Sequence, residues 1–377
     1  MRERLLTSTA LAAIVVATAL GAAAQQTRSL PRELSDAEFR RLVTDFAEPG
    51  GKFHSDNFTS NEPGFAVAAA ELAMRRQGGA YLGVGPEQNF SYIVAVRPEI
   101  AFIVDIRRQA LIQHLLFKAL FELSNDRADF VARLFSVRRP DVARDAPIAA
   151  LWKSMPRGPG SDRDRYLRNR KEVEAQLKTH GFELDTRDTA ALEYIYNAFF
   201  TIGPAINYGG FQEKLSTGNT DFAALSQVVD DKGVPRSFLA TDASFQFVKT
   251  MQQRNLIVPV EGDFAGPTTL RAIGDYLRAH GTPVNVFYIS NVEQYLFGGT
   301  PARFKGTEMN GGWQNFYRNL AALPADASTT LVRSLAFGSP RAGVLRPSAL
   351  CLLRPFLAAV DAGRVTTHNQ ARTCSQQ

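Results

Sequence analysis

Apolar residues along this 377-residue chain fall into two kinds of pattern, and the way the two alternate predicts an architecture. Continuous β-rich runs stand at 80–84 (Ala-Tyr-Leu-Gly-Val), 100–104 (Ile-Ala-Phe-Ile-Val), 256–260 (Leu-Ile-Val-Pro-Val) and 284–289 (Val-Asn-Val-Phe-Tyr-Ile). Runs without polar alternation suit strands buried on both faces. Helical spacing predicts helices over 63–76, 89–96 and 268–280 and another starting near Trp313, with 329–335 a further candidate strand. Strand, glycine turn, helix and strand within about 30 residues make a βαβ unit, right-handed by the general rule. Ahead of it, Ser35 with Glu38 three positions on opens a short helix, which ends before Pro49-Gly50-Gly51.

From Gln109 to about Arg254 the pattern is almost wholly helical. Helices are predicted over 126–136, 161–180, 187–200 and 242–254, with Ser124, Ser161 and Asp185 as caps and Gly/Pro-bearing loops at 156–160 and 203–210. That block is too long for a crossover and reads as an inserted helical lobe or lid. The predicted fold is therefore α/β, a doubly wound, Rossmann-like, mostly parallel sheet with a large helical insertion. Its segments are 1–24, a leader at 25–62, the first part of the sheet domain at 63–108, the insertion at 109–254, the second part at 255–340 and a tail at 341–377.

Composition excludes several classes. With 45% hydrophobic and 21% charged residues the chain is globular rather than disordered. Arg2 and Arg4 precede an apolar run over 5–24 that ends in Ala22-Ala23-Ala24 and gives way to Gln25-Gln26. This layout is that of a secretory signal peptide, with an uncleaved membrane anchor as the alternative; the alanine-rich end favours cleavage near Gln25. The reading implies an exported protein, periplasmic or extracellular. No later run approaches ~18 apolar residues, so no stable membrane span is expected after cleavage.

The formal charge of +6 is spread along the chain, and the densest cluster, Arg163 to Lys171, reads as a solvated helix face, so no nucleic-acid partner is expected. Cys351 and Cys374 are either a disulfide pinning the tail or two thiols. Neither these nor the five dispersed histidines have metal-ligand spacing, and no metal is predicted.

Candidate chemistry gathers at the predicted strand ends, where open parallel sheets bind ligands. Gly83-Val84-Gly85-Pro86-Glu87, Asp105, Glu261-Gly262-Asp263 and Ser290-Asn291 are small, polar or acidic and all follow apolar strands. Gly83 and Gly85 permit a sharp turn and close backbone approach by a ligand. Asp105 stands 20 residues after Gly85, the spacing of a carboxylate that accepts ribose hydroxyls. The alternative is a plain strand-helix turn with Asp105 paired to Arg107 or Arg108.

These residues resemble a known family. The order of glycine turn, helix, apolar strand ending in Asp105, and later strand with an acidic loop is similar to class I S-adenosylmethionine-dependent methyltransferases. The motifs Tyr81-Leu82-Gly83-Val84-Gly85-Pro86-Glu87-Gln88-Asn89-Phe90, Phe102-Ile103-Val104-Asp105-Ile106-Arg107-Arg108 and Val260-Glu261-Gly262-Asp263-Phe264-Ala265-Gly266-Pro267 resemble more closely a group of bacterial proteins of that fold without an assigned activity. The stretches 56–62 and 288–296 do so too, and the resemblance covers most of 50–300. It implies S-adenosylmethionine as the cofactor, with Gly83 and Gly85 against its methionine part and Asp105 on its ribose. Asp263 or Glu261 would lie by the adenine or sulfonium side, and Asn61 with Glu62 would close the site.

Two positions depart from the family pattern. Tyr81 stands where an acidic residue is usual, and Glu87 where a third glycine is. Glu87 suits a helix N-terminus but repels a phosphate, which argues against a dinucleotide. Methyl transfer is an in-line displacement that depends mostly on positioning. On this picture Tyr288, Asn291 and Glu293 lie on the acceptor side, with Glu293 the candidate base; alternatively Tyr288 is core, and Asn291 and Glu293 cap the next helix.

Three functions follow. The first is an exported methyltransferase, although its cofactor is made in the cytosol. The second is a non-catalytic module for a nucleoside-like ligand, another small molecule or a protein partner. The third is a hydrolase using Glu261 and Asp263 as paired carboxylates, which lacks a G-x-S-x-G elbow. Tyr194, Tyr196, Phe199, Phe200, Asn207 and Tyr208 in the insertion form either an aromatic wall over the site or packing between lobe and sheet.

Overall fold

Strands β1 (Ala80–Gly83), β2 (Ile100–Asp105), β3 (Ile257–Glu261), β4 (Val284–Ser290), β5 (Ala325–Ser334) and β6 (Ser348–Leu352) form a sheet in the order β3-β2-β1-β4-β5-β6. The computed structural model describes residues 29–156, 160–212, 219–298, 312–335 and 348–372. The first five strands run parallel, and β6 pairs antiparallel with β5. The apolar runs fit their positions: β1 and β2 are buried along their whole length and β4 nearly so. Pro259 lacks an N–H and is tolerated because β3 is an edge strand, paired only with β2. The winding direction reverses between β1 and β4, so the crevice between their carboxyl ends is the topological switch point.

Fifteen helices surround the sheet among the described residues: α1 (Asp36–Asp45), α2 (Phe65–Ala73), α3 (Gln88–Val96), α4 (Arg108–Leu123), α5 (Arg127–Leu134), α6 (Ile148–Lys153), α7 (Arg163–Thr179), α8 (Thr186–Ile202), α9 (Phe222–Ser226), α10 (Asp242–Gln253), α11 (Thr269–Ala279), α12 (Val292–Leu296), α13 (Trp313–Ala321), α14 (Leu353–Asp361) and α15 (His368–Arg372). Right-handed crossovers put α3 and α4 on one face and α11 and α13 on the other. The packing agrees: α3 sits against α2 and α10, α10 against α4, and α13 against both α11 and α14.

The expected caps hold at Ser35, whose Oγ accepts Glu38 N at 3.2 Å, and at Asp185, which accepts Asp188 N at 2.7 Å. At two other helices the capping residue differs from expectation. Asp126 and Asp162, rather than Ser124 and Ser161, accept the first-turn amides, and their negative charge also suits the helix dipole.

The inserted lobe is not simply a lid. Its first helix, α4, covers β2 and β3, its last, α10, packs on α3 and α4, and Tyr196, Phe199 and Phe200 are buried in packing, with Phe200 stacked on Tyr166 at 4.7 Å. The expected C-terminal tail instead supplies β6, α14 and α15. Cys351 is buried and disulfide-bonded. Cys374 and the candidate signal peptide over 1–24 lie outside the described residues, among which no helix is long and apolar enough to cross a membrane.

Candidate functional site

The leader that precedes α2 runs as a strap across the carboxyl ends of four strands. Glu48 N donates to Glu261 O of β3 at 3.1 Å, and Gly51 N to Ile106 O, just past β2, at 2.7 Å. Further along, Ser60 N donates to the Glu87 carboxyl group at the start of α3 at 3.2 Å, and Glu62 accepts from Tyr288 Oη of β4 at 2.9 Å. The strap is fixed from below as well. Arg107 Nη1 donates to Asp56 O at 2.6 Å and Gln113 Nε2 to Phe58 O at 2.7 Å. The Glu48 carboxylate accepts Asp263 N and Thr268 N at 3.2 and 3.0 Å, which positions the loop after β3 and caps α11.

Between the strap and the strand ends lies a cleft of about 780 Å³, counted out to its open mouth. Its floor is the turn after β1, where Gly85 has φ +79°, a region that L side chains rarely adopt. Asn89 Nδ2 donates to the carbonyls of Val84, Gly85 and Pro86 at 3.0, 3.0 and 2.7 Å, pinning the turn. His114 Nε2 lies 2.8 Å from Gly85 O. Burial pushes the imidazole pKa down to about 4, so at neutral pH the ring is uncharged and donates its one N–H to that carbonyl.

Three carboxylates ring the cleft. Asp105 is held by Arg107, whose Nε and Nη2 donate at 3.0 and 2.9 Å, so this pair is neutral as a unit. Asp263 is 2% exposed; its Oδ1 accepts Ala265 N at 2.8 Å, and its Oδ2 has no hydrogen-bond partner among the described residues. Glu62 accepts from Tyr288 Oη, from Ser290 Oγ and from Gln88 Nε2 at 3.4 Å. Burial raises its pKa above the ordinary carboxylate value, and these hydrogen bonds oppose the rise only in part. Phe53, Tyr208 and Tyr295 line the same cleft, with Phe53 and Tyr295 in edge contact at 5.3 Å.

Backbone strain concentrates here too. Of five non-glycine residues with left-handed φ among the described residues, Asn57 (+48°) and Ser290 (+50°) line the cleft. Such conformations cost energy and cluster at functional sites.

Of the residues singled out in the sequence, the cleft brings together Asn61, Glu62, Gly85, Asp105, Asp263, Tyr288 and Asn291. Four others are elsewhere. Gly83 packs inside the sheet, where a Cβ would collide with Tyr81 and Asn89. Glu87 is buried behind the turn, its pKa pushed up to about 8 by that burial, with Ser60 N as a hydrogen-bond donor. Glu261 lies outside the cleft, 3.5 Å from Arg108 Nη1, which removes the paired-carboxylate arrangement with Asp263.

Glu293 is not a base in the cleft. It is 3% exposed and held by Arg333 Nε at 2.5 Å, Arg333 Nη2 at 2.9 Å and Tyr317 Oη at 2.7 Å, a structural ion pair between α12 and β5. The reading of Asp105 as a free ribose acceptor is likewise corrected toward its pairing with Arg107. Sequence reasoning missed Asn57, Phe53 and Tyr295 as wall residues and marked Ser290 only as a strand end. Ser290 and Tyr295 fall inside a recognised motif, but nothing in a sequence marks left-handed φ at a serine.

A family model described as a domain of unknown function (DUF7790) matches residues 57–194 and 221–346. The matched stretches contain all three cleft carboxylates and the β1 turn; Phe53 and Tyr208 lie outside them. No characterised protein matches the chain at significant similarity.

Proposed function

We propose that this chain, which belongs to the DUF7790 family, binds an adenosine-type small molecule in the cleft at its switch point, with S-adenosylmethionine as the leading candidate and methyl transfer as the activity. The observation that carries the reading is Asp263 Oδ2: a buried acceptor without a partner, lining a cleft where an exocyclic amino group would satisfy it. The strand order supports a Rossmann-like, doubly wound sheet, in which ligands bind at this crevice. Two carboxylates without a cationic partner among the described residues, Glu62 and Asp263, favour a positively charged ligand over a phosphate-bearing one.

The residues present suit the cofactor in part. Gly85 leaves the turn open, since a Cβ there would meet only Asn57 Nδ2 at 3.8 Å, and Asp263 would take the adenine amino group. S-adenosylmethionine would supply an electrophilic methyl group on a cationic sulfonium. The chain's own contribution would be to orient the two partners and exclude water, with Tyr288 and Asn291 on the acceptor side. No metal is invoked.

A second reading, a non-catalytic module that keeps the cleft for a small ligand or a protein, is favoured by one observation. Asp105 is already occupied by Arg107, which leaves it little capacity for a ribose. Export to the periplasm or beyond is part of both readings, supported by the N-terminal apolar run and by the disulfide at Cys351.

Calorimetric titration of residues 25–377 with S-adenosylmethionine and with adenosine tests the proposal. Micromolar binding that weakens about tenfold in Asp263→Ala, the worth of one hydrogen bond, supports it. No binding of either compound by folded protein removes it.

A further inference from the structure

The cleft has a feature that an uncharged adenosine does not use. Glu62 is 7% exposed and lines the cleft with neutral hydrogen-bond donors around it: Tyr288 Oη, Ser290 Oγ, Gln88 Nε2 and the Ser334 side chain. A buried carboxylate whose neighbours are all neutral is costly as an anion, and the cost is relieved either by a proton or by a cation. Among the described residues the one cationic side chain in the lining, Arg107, is committed to Asp105 and to the Asp56 carbonyl. Phe53, Tyr208 and Tyr295 also line the cleft, aromatic rings of the kind whose faces attract cations; the Arg107 guanidinium already lies over the Phe53 ring at 5.6 Å. Ser290 holds left-handed φ where its hydroxyl reaches Glu62, a local cost that keeps the carboxylate in place.

We propose that the cleft takes an alkylated ammonium group, with its charge against Glu62 and its alkyl substituents against Phe53, Tyr208 and Tyr295. The inference rests on the cleft being a ligand site, as in the preceding section, and adds the class of the second ligand: an amine-bearing organic cation. It does not require the first ligand to be an adenosine. Because burial raises the Glu62 pKa and a bound cation lowers it, cation binding releases a proton wherever Glu62 of the free protein still holds one. Affinity for the cation therefore rises with pH until Glu62 is ionised without the ligand.

The probes are choline and dimethylbutanol, its uncharged carbon isostere, titrated calorimetrically between about pH 5 and about pH 9. The wild type is expected to prefer choline by about tenfold or more, with the preference growing as pH rises. Glu62→Gln loses both the preference and its pH dependence. Phe53→Leu weakens choline by several-fold and serves if the Glu62 variant does not fold. Equal affinity for choline and the isostere, or a preference that survives Glu62→Gln, overturns the proposal. Choline preference without adenosine binding removes the preceding reading and leaves this one; adenosine binding without choline preference does the reverse.

Discussion

Glu87 offers the sharpest energetic test of the local structure, because a single neutral substitution should change how stability depends on pH. Its carboxyl group is 4% exposed behind the β1 turn, with Ser60 N shared between its oxygens at 3.2 Å. The pKa rises from 4.5 to about 8 because burial penalises the charge. The folded state thus holds a proton that the unfolded chain releases. Stability from this group is complete below the unfolded value and is lost as pH rises through the folded one. At about 1.4 kcal/mol per pKa unit, the loss between about pH 5 and about pH 9 is about 4 kcal/mol. Glu87→Gln keeps the acceptor for Ser60 N and removes the ionisation. Urea denaturation of both proteins across that range, followed by circular dichroism, should show the variant gaining on the wild type by about 4 kcal/mol, accumulating steadily from about pH 5 and levelling off above about pH 8. A difference that stays constant with pH would refute the reasoning.

His114 works in the opposite direction: its pKa falls from 6.5 to about 4. Its contribution is therefore lost as pH falls through that window, by about 3 kcal/mol, and His114→Gln should flatten the acid limb of the stability profile. Glu293→Ala leaves Arg333 buried without its carboxylate and should cost about 3–5 kcal/mol in chemical denaturation, with ligand affinity of the folded fraction unchanged. Unchanged stability with lost binding would return Glu293 to the site. Gly85→Ala, strained by φ +79°, should destabilise by about 1–2 kcal/mol and weaken any ligand that lies on the turn, as read by thermal unfolding with and without adenosine.

Much of the sheet was legible because strands buried on both faces need continuous apolar runs, and β1 to β4 have them. The glycine turn, Asp105 and Asp263 were legible because strand ends are where such runs stop. β6 was not: Ser348–Leu352 is short and partly exposed, and an edge strand with one neighbour needs no such run. The strap was seen only as a leader, since its role lies in main-chain amides and single side chains reaching four strand ends, which leaves no periodicity. Glu293 and Glu87 show the same limit in chemical form. A carboxylate in a sequence looks alike whether it faces a cleft, an arginine 40 residues away or the back of a turn. Asp105 differs, because its partner stands two positions on and the pairing was open as an alternative from the start.

The central claim is that the switch-point cleft is a ligand site whose polar end is Asp263. A crystal structure of residues 25–377 with S-adenosylhomocysteine tests it most directly. The account predicts the ligand between the strap and the Gly85 turn, with its adenine amino group within hydrogen-bond distance of Asp263 Oδ2. An empty cleft at saturating ligand, or a ligand bound elsewhere with Asp263 Oδ2 still without a partner, would contradict it.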